Sequence, residues 1–106
     1  MSETKRPPIR GNYAATKLKN DLVRLDPELQ VELKNVRING SLQGCSGFVT
    51  NPRTGKIAYI CTDRNNMATT RALYRSAKHT RDFTGGTNRF ATYDDLSQSV
   101  VELLRS

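Results

Sequence analysis

The stretch RSAKHTRDFTGGTNRF, residues 75–90, concentrates residue types that bind anions. Arg75, Lys78, Arg81 and Arg89 supply cations, His79 is the only histidine of the chain, and Asp82 is the only acid in the stretch. A guanidinium donates in a fork that matches a phosphate, and an ammonium attracts it as a point charge. Gly85 and Gly86 free the backbone for positive φ, so successive N–H groups can turn into one concavity and cup an oxyanion, with the Asn88 amide beside them. Phosphate recognition uses these parts. The same residues also make an ordinary loop, in which Asp82, Thr84 and Asn88 tie a Gly-Gly turn internally ahead of a helix. The sequence leaves both readings open.

Other chemistry finds less support. A hydrolytic site needs a nucleophile, a base and an orienting group that converge. His79 stands among Lys78 and Arg81, and no spacing selects a partner for it, so the chain is expected to be non-enzymatic. Neither a Walker loop, a dinucleotide fingerprint nor an HExxH helix occurs. The GCSG of residues 44–47 resembles a nucleophile turn, but it falls inside a predicted hairpin strand rather than at a strand-to-helix elbow. Cys45 and Cys61 are expected to face each other across that hairpin. Directly opposed strand residues have Cα atoms about 4.5–5.5 Å apart, within disulfide reach, although a reducing cytosol would keep them as thiols. A zinc site needs about four ligands, which two cysteines and one remote histidine do not supply. No metal and no cofactor are expected.

Charge narrows the partner. The net charge is +7 and it falls in two blocks: residues 5–24 carry six cations against Asp21, and residues 53–89 carry eight against Asp63 and Asp82. The C-terminal segment is mildly acidic. Such asymmetry is a footprint of polyanion binding. The expectation is a small nucleic-acid-binding accessory protein that contacts the phosphate backbone of DNA or RNA. Its contacts would come from Arg75, Lys78, Arg81, Gly85, Gly86, Asn88 and Arg89, with Lys5, Arg6 and Arg10 from the N-terminal segment. The alternative is a protein-interaction module, an inhibitor or adaptor, whose basic face docks an acidic partner. No recognition-helix pattern, zinc finger or aromatic RNP motif is visible, so base-specific readout is not expected. Residues 1–12 lack the apolar core of a secretory signal, and no apolar run approaches the roughly 18 residues of a spanning helix. The expected setting is cytoplasmic, without a membrane.

The elements that would position these residues read as α-β-β-β-(β)-α. Residues 1–11 have no apolar periodicity and read as a disordered basic tail ahead of a single domain, residues 12–106. Asn12 can cap a helix whose stripe is Ala15, Leu18, Leu22 and Leu25, ended by Asp26-Pro27. Asn39-Gly40 signals a tight hairpin, and NPRTG, with Pro52 and Gly55, signals a second turn. Pairing Ile38 with Ser41 and Thr50 with Lys56 places Val31 opposite Phe48 and Phe48 opposite Ala58. Val31, Leu33, Phe48, Ala58 and Ile60 then share one face; Val36, Ile38, Val49, Ile57 and Tyr59 share the other. Gly44 and Gly47 are possible bulge positions. Residues 63–70 form a polar connection, and RALYRSAK, residues 71–78, fits a helix or a strand, with the flanking threonines favouring a fourth strand. Thr92 with Asp95 three residues on starts a last helix bearing Tyr93, Leu96, Val100, Leu103 and Leu104. The fold class is α+β: an antiparallel three- to four-stranded meander flanked by an N-terminal and a C-terminal helix.

Overall fold

The computed structural model describes residues 14–62, 71–82 and 86–105. The order is α1 (Ala15–Leu25), β1 (Gln30–Ile38), β2 (Ser41–Asn51), β3 (Lys56–Cys61), β4 (Arg71–Ala77), β5 (Arg89–Thr92) and α2 (Leu96–Arg105). The five strands form one open antiparallel sheet in chain order, β1-β2-β3-β4-β5. The α+β meander is therefore present, residues 71–77 are a strand, and β5 is one strand more than the sequence suggested. The proposed tail, the Asn12 cap and the 63–70 connection lie outside the described residues.

Both helices pack on one face of the sheet. Leu18 and Leu22 of α1 and Leu96, Val100, Val101 and Leu104 of α2 meet Cys45, Val49, Ala58, Ile60 and Ala72 in a single core. The amphipathic spacing of each helix accounts for its buried stripe. Leu25 falls at the end of its stripe and stays exposed. The α1 N-terminus is capped by a strand rather than by its own flank: the Ala15 N–H donates to Asn35 Oδ1 at 2.8 Å. The last helix starts later than its sequence signal: Thr92 ends β5, residues 93–95 form a turn in which the Asp95 N–H donates to Thr92 Oγ1 at 3.3 Å, and α2 begins at Leu96, with the Ser99 N–H donating to the Asp95 carbonyl at 2.9 Å.

The strand register differs from expectation by one residue at each of two places. Ile38 pairs with Ser41, and Asn39 and Gly40 both have positive φ, as the hairpin turn requires. Between Val36 and Arg37, however, the register shifts: Arg37 faces Leu42 while Val36 faces Gly44, which leaves Gln43 as the extra residue of a bulge. At the next turn Asn51, not Thr50, pairs with Lys56, so the loop has four residues. The slips cancel across β2. Val31 still lines up with Ala58, but through Val49 instead of Phe48, and Leu33 lines up with Ile60 through Gly47. Strand β2 is thus turned over as a unit, because side chains alternate with period two. Val49 and Cys45 enter the core, while Phe48 joins Tyr59 on the opposite face.

The slip also separates the cysteines. Cys61 pairs with Ser46, and Cys45 is bonded instead to Thr62: the Thr62 N–H donates to the Cys45 carbonyl at 2.8 Å and the Cys45 N–H donates to Thr62 Oγ1 at 2.9 Å. Diagonal neighbours whose side chains leave opposite faces do not bridge, and both cysteines are free thiols.

Candidate functional site

On the face opposite the helices, register lays out two rows. One runs Glu32, Phe48, Tyr59, Arg75; the other runs Lys34, Ser46, Cys61, Leu73, Phe90. The rings of Phe48 and Tyr59 meet at 5.3 Å with a 51° tilt, an ordinary attractive aromatic geometry. The Arg75 guanidinium lies over the Tyr59 ring, 4.7 Å from its centroid, within cation–π range.

Arg75 is not a surface cation. Its side chain is only 3 % exposed. Nη2 donates to the Asp82 carbonyl at 2.6 Å and Nη1 to the Ser76 carbonyl at 3.2 Å, while the Asp82 carboxylate lies 3.8 Å from Nη1. The same carboxylate accepts the Lys78 N–H at 2.9 Å. Gly86 closes over this group: its φ is +82°, and a Cβ there would meet the Ser76 carbonyl at 2.7 Å. Asp82 is therefore tied internally, but through Arg75, which centres the tie; Thr84 lies outside the described residues. The glycine at 86 serves close packing of backbone on backbone.

The tie has an outward consequence. Asp82 faces inward, 12 % exposed, so residues 78–81 and 86–90, all exposed, show solvent Lys78, His79, Arg81, Asn88 and Arg89 and no acid. Within the turn, the Arg81 N–H donates to His79 Nδ1 at 3.1 Å, which occupies one ring nitrogen of the only histidine. Arg89 pairs with Tyr74 and so projects from the helix-bearing side of β5, away from the Arg75 face. Lys56 stands where β3 begins, beside the end of β4, because Ile57 pairs with Ala77. It is exposed, and both it and Lys78 lie one residue beyond the Ile57–Ala77 pair that ends the β3–β4 ladder. Sequence reasoning passed over Lys56; its signal was the strand register, which composition does not show.

The structure thus places Lys56 and Lys78 at the same end of the β3–β4 pair, with Arg81 in the turn that follows β4, sets Asn88 ahead of β5 and Arg89 at its first position, and withdraws Arg75 from the surface. Gly85, Lys5, Arg6 and Arg10 lie outside the described residues. Among the described residues no three His, Cys, Asp or Glu side chains group as metal ligands, and no helix is long and apolar enough to cross a membrane. No protein-family model, no curated protein and no solved structure matches the chain.

Proposed function

We propose that this protein binds nucleic acid through its phosphate backbone, using the exposed side chains of residues 78–81 and 86–89 together with Lys56, and that it acts by binding rather than by catalysis. One observation carries the reading: the single acid of the basic stretch is turned inward onto Arg75, so no carboxylate accompanies the cations and neutral donors that face solvent there. Among the described residues three cations elsewhere are ion-paired, although Lys19, Lys34, Arg37 and Arg105 are not. Lys17 and Arg24 both bridge Asp21, and Arg53 bridges Asp26 and Glu28. Lys56, Lys78, Arg81 and Arg89 have no ion pair among the described residues. Unpaired, clustered cations offer a polyanion the release of its counterions without breaking existing pairs. Arg75 enters this reading as the residue that positions the loop, not as a phosphate contact. A cytosolic setting belongs to the same reading and accords with two buried thiols.

The test is fluorescence anisotropy of the purified chain with labelled duplex and single-stranded oligonucleotides across a salt series. The expected result is binding at low salt that weakens log-linearly as salt rises. A flat response, with no binding to any polynucleotide at low ionic strength, would sink the reading and favour an acidic protein as the partner.

A further inference from the structure

Two large apolar side chains stand exposed among the described residues, Leu25 and, at 53 % exposure, Phe90. Leu25 merely ends α1 beside Arg24 and Asp26. Phe90 has a more telling position. It lies within β5, a four-residue edge strand, directly after exposed Arg89 and the exposed run of Gly86, Thr87 and Asn88. Its pairing with Leu73 puts the ring on the helix-free face, whereas the pairing of Arg89 with Tyr74 puts that guanidinium on the other. Two consecutive residues therefore offer a cation and a bare ring on the two sides of one sheet edge. Strand β5 has no further neighbour in the sheet on its outer side among the described residues.

We infer, building on the phosphate reading above, that the nucleic acid is single-stranded, with one base stacked on Phe90 while Arg89 and the turn of residues 78–81 hold neighbouring phosphates. A duplex base is already stacked on both sides and offers a protein only its edges and its phosphates. A single strand has free base faces, and stacking on an aromatic side chain tolerates any base. An exposed ring beside unpaired cations therefore gains from a single strand what a duplex cannot provide. The narrow, free edge lets a flexible strand pass from the Arg89 side to the Phe90 side. The same arrangement accounts for a basic surface without any base-reading motif: stacking supplies affinity, not sequence choice.

The experiment compares labelled oligo-dT, oligo-U and a mixed-sequence duplex of equal length at one salt concentration, for wild type, Phe90→Leu and Phe90→Trp. Single strands should bind wild type more tightly than duplex. Phe90→Leu keeps an apolar side chain but no ring, and should weaken single-strand binding about 5- to 100-fold while duplex binding stays within about twofold. Phe90→Trp should retain single-strand affinity. Because the ring is exposed, thermal melting should be unchanged in both variants, which separates stacking from misfolding. The inference is overturned if single strands bind no better than duplex, or if Phe90→Leu binds them as wild type does; the phosphate reading survives either result. Absence of binding to all three probes in wild type at low salt removes both.

Discussion

Arg75 shows how one side chain can decide what a whole loop presents. Its guanidinium satisfies two carbonyls, sits on Tyr59 and faces the Asp82 carboxylate, and a charge this buried would be costly without those partners. Arg75→Ala removes the fork and leaves Asp82 facing inward without it. The expected loss is about 3 kcal/mol or more, seen as a lower urea midpoint. Asp82→Asn still offers an acceptor to the Lys78 N–H and should cost less. Equal stability of Arg75→Ala and wild type would show that the clasp contributes nothing. Cys45 illustrates burial acting on a titrating group. Desolvation pushes its thiol up from 9.0 to about 11, only partly opposed by the Thr62 hydrogen bond, with the nearby Cys61 adding to the rise. Since the thiolate is the nucleophile, Cys45 should resist iodoacetamide at pH 8 until the chain unfolds, as read by mass spectrometry. The sign follows from linkage: a folded-state pKa above the ordinary value means that the native state holds the proton longer, so this group's stabilisation is intact below pH 9 and declines as pH rises toward 11. Rapid labelling of the native protein at pH 8 would contradict this.

At the scale of elements, the turn between β2 and β3 is where sheet and helices are fastened. Asn51 is 1 % exposed; its Nδ2 donates to the Leu104 carbonyl at 3.1 Å, and its Oδ1 accepts the Arg53 N–H at 3.1 Å. Thr54 Oγ1 also donates to the Leu104 carbonyl, at 3.3 Å, so the turn supplies donors that the end of α2 lacks internally. Arg53 meanwhile reaches Asp26 at the end of α1. Asn51→Asp should be worse than Asn51→Ala, because it sets a carboxylate against a carbonyl at the negative end of a helix. A loss of about 1–3 kcal/mol for Asn51→Ala, with a larger one for Asn51→Asp, is expected from denaturant melts; the reverse order would refute the role given to Nδ2. This contact also explains why strand order was legible and the face of β2 was not. Helix stripes and the Asn39-Gly40 turn are local signals, and each was readable from a few residues, whereas the start of α2 falls at Leu96 because Thr92 is taken into β5. The bulge at Gln43 is specified by close approach: a Cβ at Gly44 would meet the Thr62 carbonyl at 2.4 Å, and one at Gly47 the Glu32 carbonyl at 2.0 Å. Asn51 stays in the ladder because a helix end some fifty residues later needs its amide. Those are long-range demands that no local pattern announces. The burial of Arg75 belongs with them: the basic stretch was visible, but which of its cations would be taken inward depended on the Tyr59 row and on the path of the loop.

For the whole molecule, the arrangement of charge matters more than the sum of +7. The two helices end near the β2–β3 turn, where Arg53 and the Asn51 amide answer their C-terminal carbonyls and carboxylates. Lys17 and Arg24 on α1 are matched by Asp21, and Arg75 of β4 is matched by Asp82. What is left unmatched at one end of the sheet is Lys56, Lys78 and Arg81, with Arg89 on the neighbouring edge strand. A polyanion should sense that difference, although all these side chains contribute equally to the net charge. Lys78→Gln with Arg81→Gln should therefore reduce affinity for duplex and single strand alike, flattening the log–log salt dependence by about 0.9 per lost duplex contact and about 0.7 per lost single-strand contact. Lys17→Gln with Arg24→Gln removes the same charge from α1, where it serves Asp21, and should leave the slope unchanged and affinity within about twofold. Both pairs are surface substitutions with little expected effect on folding, so a difference in binding reports on geography. If the two double variants lose affinity equally, binding is a response to total charge, and the loop shaped around Arg75 has no special part in it.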